Sequence, residues 1–179
     1  MTDRTGTFNR EETPAALSLR QVLVVCTANQ CRSPMAEGLL KQRLAATDAL
    51  DRVRVSSAGT WARAGVPATP SAVQVMAERD IDIGAHRSRE VSAEILDPSD
   101  LILVMTRGHA ESLIAEFPGA ASRILCFSAL VGSAFDIADP VGLPLSEYRA
   151  TADELARLID AGWARILGEV PSMSSEVRT

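Results

Sequence analysis

Residues 21–26 read QVLVVC, a short run that is apolar on consecutive positions and ends on a cysteine. A strand that does not alternate has no face to offer to water, so it belongs inside a parallel sheet covered by helices on both sides. A second run of the same kind, LILVM at 101–105, repeats the pattern. Residues 52–56 (RVRVS) alternate and predict a strand nearer the sheet edge, and 123–127 (RILCF) predict a fourth. Between these runs the spacing predicts helices over 34–46, with Ser33 as N-cap and Pro34 as first helical residue, and over 70–79, capped by Thr69. Further helices are expected over 108–116 and, as one long element, over 145–167. Alternating strand and helix give an α/β single domain: a parallel sheet of about four strands, helices on both faces, and a loop for an anion after the first strand.

The chain of 179 residues suits one domain with a substantial core. We expect that domain over residues 19–170, with 1–18 a flexible leader and 171–179 a flexible tail. A net charge of −5 with no basic stripe argues against a nucleic-acid binder, yet leaves room for a local anion site. No apolar run approaches the roughly 18 residues of a membrane span, and the leader lacks the apolar stretch of a signal peptide. Three cysteines, an odd number, point to thiols rather than a disulfide framework. A cytoplasmic protein, monomeric or weakly dimeric, is expected.

Ligands of such sheets sit beyond the carboxyl ends of the strands. There the first strand runs into Cys26-Thr27-Ala28-Asn29-Gln30-Cys31-Arg32-Ser33 and then into a helix. A cysteine and an arginine separated by five residues can curl round a tetrahedral oxyanion, aiming backbone N–H groups inward above a helix N-terminus. Arg32 can hold two oxygens in its planar fork. Cys26, in these electropositive surroundings, is placed to act as nucleophile. Asn29 suits a turn or left-handed conformation, and Ser33 can hydrogen-bond the thiolate. A general acid is also required. Asp97 precedes the third strand, at the wrong end of the sheet, and reads as a turn or helix cap. Asp139, in the long loop after the fourth strand, lies on the side of Cys26, with Asp136 as its weaker neighbour. The mechanism calls for no metal and no cofactor: there is no ligand cluster and no nucleotide-binding glycine loop.

The segment VVCTANQCRSPMAE resembles the signature of the low-molecular-weight protein tyrosine phosphatases, and the likeness extends over residues 20–168, including SSAGT at 56–60 and HRSR at 86–89. The resemblance implies a phosphocysteine enzyme acting on phosphorylated proteins, with Asp139 of the late Asp-Pro as acid. It implies that Ser57 and His86 buttress the loop. Cys31 then either traps the oxidised nucleophile as a disulfide or packs beneath the loop. Cys126 reads as core, and His109 as a surface residue.

Substrate choice stays open at this point. Phosphotyrosine is the first reading, with Trp61 and Val141 as the wall against the ring; relatives usually carry aromatic residues where Val141-Gly142 stands. The stretches SAGTWARAGVPATP, MTRGHAESLIAEF and DPVGLPLSEYRATADEL look closer to the bacterial branch that contains protein-arginine phosphatases. Gln30 matches neither group and can either reach a guanidinium or block one. Thioredoxin-coupled arsenate reductases share the fold but need two downstream cysteines, and only Cys126 follows. A non-catalytic phosphate-binding module is the remaining alternative.

Overall fold

The computed structural model describes residues 19–169, so the expected leader and tail lie outside the described residues. Four parallel strands, β1 (Arg20–Cys26), β2 (Val53–Gly59), β3 (Leu101–Val104) and β4 (Ile124–Cys126), form one sheet in the order β2-β1-β3-β4. The expected central strands are central, and the alternating one is at the edge. Because β1 and β3 are adjacent while β2 lies outside β1, the strand order reverses between them, which opens a crevice at their carboxyl ends.

Helices cover both faces. They are α1 (Arg32–Ala46), α2 (Pro70–Ala77), α3 (Ala93–Leu96), α4 (Arg107–Glu116), α5 (Leu145–Ala161) and α6 (Trp163–Leu167). Alternate residues of β1 serve opposite cores. Val22 and Val24 pack with Met35 and Leu40 of α1 and Leu155 of α5, whereas Leu23 and Val25 pack with Leu96 and Leu113 on the other face. Each such buried aliphatic side chain contributes roughly 1.5–3 kcal/mol, which is why an unalternated run fits only here.

Three local expectations are corrected. Cys31, not Ser33, occupies the N-cap of α1, and it makes no side-chain cap. The Ser33 hydroxyl is engaged by Cys26 and Asn29 instead. The single helix expected over 145–167 is two, because α5 ends where Gly162 passes Leu130: a Cβ at Gly162 would lie 2.6 Å from the Leu130 Cβ. The short helix α3 was not expected; it ends in Asp97, which is its C-cap at the amino end of β3. The cap at Thr69 is as read, its side chain accepting from the Ala72 N–H.

Candidate active site

The loop after β1 is shaped by where its carbonyls go. Those of Cys26 and Thr27 accept from the N–H groups of Thr60 (2.9 Å) and Trp61 (3.0 Å), and those of Gln30 and Cys31 from Thr69 (2.8 Å) and Met35 (3.1 Å). The Asn29 carbonyl accepts from His86 Nε2 at 2.7 Å. With these oxygens turned outward, no backbone N–H from Thr27 to Arg32 donates to another described residue. The result is a concave row of donors, an oxyanion nest at the N-terminus of α1. Asn29 supplies the tight bend with φ of 54°, while Ala28 needs no positive φ, so the alanine is unstrained there. Gly59 lets β2 press against the loop: a Cβ there would lie 2.4 Å from the Thr27 carbonyl oxygen and 2.9 Å from the Asn29 nitrogen.

Beneath the loop a hydrogen-bond relay ends on the thiol. The fully buried Asn29 amide donates to Ser33 Oγ and to Ser57 Oγ, both at 2.9 Å, and its oxygen accepts from the Arg89 N–H at 2.9 Å. Ser57 in turn donates to Glu37 Oε2 at 2.5 Å. Ser33 Oγ accepts from Asn29, and its own hydrogen faces two acceptors, Cys26 Sγ at 3.0 Å and, farther off, the Ala58 carbonyl at 3.4 Å. Arg89 Nε holds the Ser57 carbonyl at 2.8 Å.

Arg32 is buried and reaches across the crevice. Its Nη1 donates to the Ile137 carbonyl at 3.0 Å, and its Nη2 to the Asp139 carboxylate and, at 3.5 Å, to Thr27 Oγ1. The loop carrying Asp139 is tied to the end of β3, where the Ile137 N–H donates to the Met105 carbonyl at 2.8 Å. Asp136 points elsewhere, accepting from the Arg107 N–H at 2.8 Å at the start of α4. Cys26, Arg32, Ser33, Asn29, Ser57, His86 and Asp139 are thus brought together, and Asp97 is not.

Residues 21–170 match the family described as low molecular weight phosphotyrosine protein phosphatase. The chain belongs to that family. It is 41% identical over 141 residues to a protein-arginine-phosphatase of Geobacillus stearothermophilus, covering 78% of this chain and 91% of the relative. Among solved structures, the low molecular weight protein tyrosine phosphatase from T. tengcongensis superposes with a TM-score of 0.78 at 40% identity, covering 82% of this chain and 99% of that one. The YwlE arginine phosphatase from Geobacillus stearothermophilus gives 0.77 at 38% identity, covering 84% and 94%.

Within this family framework several side chains depart from expectation or were missed. His109 is not a surface residue: it is 8% exposed and bonded to Thr27 and Thr106. Cys126 is half-buried at the end of β4, packed against the α4-side core. Cys31 is buried, and burial first, then the nearby Asp139 carboxylate and Cys26, push its thiol up to about 12. Trp61 and Val141 are 82% and 57% exposed; the Trp61 N–H donates to the Thr27 carbonyl, and the Val141 N–H to Asp139 Oδ1 at 3.2 Å. Gln30 is half-buried, and its side chain bonds to no other described residue. Glu37, Gly59 and Arg89 escaped the reading of single residues, although they stand inside PMAE, SSAGT and HRSR, the very segments that carry the family resemblance. No cluster of three or more His, Cys, Asp or Glu suited to a metal occurs among the described residues. No helix among them is long and apolar enough to cross a membrane.

Proposed function

We propose that the chain hydrolyses phosphorylated protein side chains, phosphotyrosine foremost, through a phosphocysteine intermediate. The observation that carries this reading is the loop itself: carbonyls turned out, N–H groups unspent, Cys26 at its base and Arg32 across its mouth. In the first step the Cys26 thiolate, held by the Ser33 hydroxyl, attacks phosphorus. The equatorial oxygens take up donors from the loop and Arg32, the bond from phosphorus to the phenolic oxygen breaks, and Asp139 gives that oxygen its proton. In the second step water attacks phosphorus, Asp139 takes its proton, and the S–P bond breaks to release phosphate and restore the thiolate. Support for phosphotyrosine comes from Trp61 and Val141, exposed apolar side chains available to a ring.

A second reading, phosphoarginine, is favoured by the 41% identity to a protein named as an arginine phosphatase and by the unspent amide of Gln30, which can accept from a guanidinium. Initial rates on a phosphotyrosine and a phosphoarginine peptide, with Cys26→Ser as control, test both. A tyrosine preference supports the first reading and an arginine preference the second. Cys26→Ser retaining near-wild-type turnover would sink the mechanism for either.

A further inference from the structure

His109 sits in the first turn of α4, preceded by exposed Arg107 and Gly108, yet its ring is buried. Both ring nitrogens are bonded: Nδ1 lies 2.9 Å from Thr106 Oγ1 and Nε2 lies 2.9 Å from Thr27 Oγ1. Thr106 is the N-cap of α4, and its oxygen accepts from the His109 backbone N–H at 3.1 Å. With one lone pair spent on that cap, the Thr106 hydroxyl keeps a hydrogen that it can give to Nδ1 and a lone pair that can accept from it. A neutral imidazole that accepts at Nδ1 carries its proton on Nε2, and that nitrogen then donates to Thr27 Oγ1. Burial, and next the charge of Arg32, hold the ring neutral against the opposing pull of Asp139 and Asp136.

Thr27 Oγ1 also faces Arg32 Nη2 at 3.5 Å. A hydroxyl has two lone pairs and one hydrogen. When a ring N–H and a guanidinium N–H address the lone pairs, the hydrogen has to turn away from both. No described carbonyl or carboxylate accepts it, and Thr27 directly follows Cys26, among the N–H groups of the oxyanion nest. We propose that His109 is a positioning residue whose Nε2–H orients the Thr27 hydroxyl as one further donor to the bound phosphoryl group. The inference rests on the phosphatase reading of the loop and extends its donor set beyond the backbone and Arg32. It also accounts for a buried histidine that the proposed chemistry otherwise leaves unused.

The test has a structural and a functional arm. Long-range ¹H–¹⁵N spectra of the wild-type protein at pH 7 are expected to show His109 as the neutral Nε2–H tautomer; an Nδ1–H tautomer overturns the proposal. Inorganic phosphate binding, followed by calorimetry, is expected to weaken roughly ten- to a hundredfold in Thr27→Val, the range of a hydrogen bond to a charged group. Thr27→Ser should stay near wild type, and His109→Leu should lose as much as Thr27→Val. Combining the two losses should cost no more than either alone, and His109→Gln, which keeps a donor in the Nε2 position, should recover most of the affinity. Unchanged phosphate affinity in Thr27→Val, or losses that simply add, would refute the assignment. Should His109→Leu fail to fold, the tautomer and the Thr27 pair still decide. A wild-type protein that binds phosphate in this pattern but hydrolyses no phosphorylated peptide would defeat the proposed function while leaving this inference standing.

Discussion

Arg32 Nη2 donates to the carboxylate of Asp139, so the clamp and the proton donor of the proposed reaction are bonded to each other. A phosphoryl group entering the nest competes with that carboxylate for the same guanidinium, and its arrival frees Asp139 to take up a proton from solvent and turn toward the leaving oxygen. The pair therefore ties readiness of the acid to occupancy of the clamp. Because the Asp139 side chain is substantially solvated, exchanging one anion for the other at Arg32 is not prohibitive.

Removing the carboxylate separates the two roles. Asp139→Ala is expected to slow phosphotyrosine hydrolysis by about 10²–10⁴-fold, the usual range for a lost general acid. The same variant should bind vanadate more tightly than wild type, since nothing then competes for Arg32. Steady-state kinetics with vanadate inhibition reads both quantities. An unchanged rate would remove Asp139 from the acid role.

Gly59 should tolerate no side chain. The Cβ of Gly59→Ala would press on the backbone of Thr27 and Asn29, which are held by their own hydrogen bonds and have little room to give. Overpacking of this kind costs roughly 1–3 kcal/mol. Thermal unfolding should show a Tm lower by several degrees, and turnover should fall more than the loss of folded protein explains. A variant with wild-type Tm and kcat would show that the β2–loop contact is dispensable.

Acid should destabilise the fold partly through His109. Burial lowers its pKa from 6.5 to about 4, with Arg32 adding to the effect. Between those two pH values the unfolded chain binds a proton that the folded protein refuses. The contribution is therefore complete above about pH 6.5 and is lost as pH falls toward 4. Urea midpoints at pH 7.5 and pH 5 should fall further apart in the wild type than in His109→Gln. Equal separations would exclude the ring as the source.

The cysteines should differ sharply in reactivity. Burial pushes the Cys31 thiol up to about 12, so almost none of it is thiolate at neutral pH. Brief iodoacetamide treatment followed by peptide mass mapping is expected to find Cys26 carboxamidomethylated and Cys31 untouched. Equal modification of the two would contradict this picture of the loop.

The sheet and the site were legible to different depths. The run 21–26 announced a two-sided strand because only a covered position accepts five consecutive apolar side chains, and the cysteine at its end placed the chemistry at a strand terminus. Asn29 and Thr69 were readable for equally local reasons, a left-handed bend and a helix cap. His109 reads as exposed from the sequence because it stands in the first turn of a helix, and only the start of α4 beside the loop after β1 buries it. The pattern over 145–167 reads as one helix because the break at Gly162 depends on Leu130, a residue distant in the chain that lies against it.

What the amino-acid sequence determined alone was therefore the pattern of short-range choices: which runs could be strands, where helices could begin, and which loop could wrap an anion. The tertiary structure decided every contact made across long separations, such as Arg32 with Asp139, Thr27 with His109 and Asn29 with Ser57. Local propensity is encoded within a few residues, whereas these bonds depend on the strand order β2-β1-β3-β4, which sets the loop after β1 beside that after β3. The partners of a catalytic loop are chosen by that topology, and no single segment carries it.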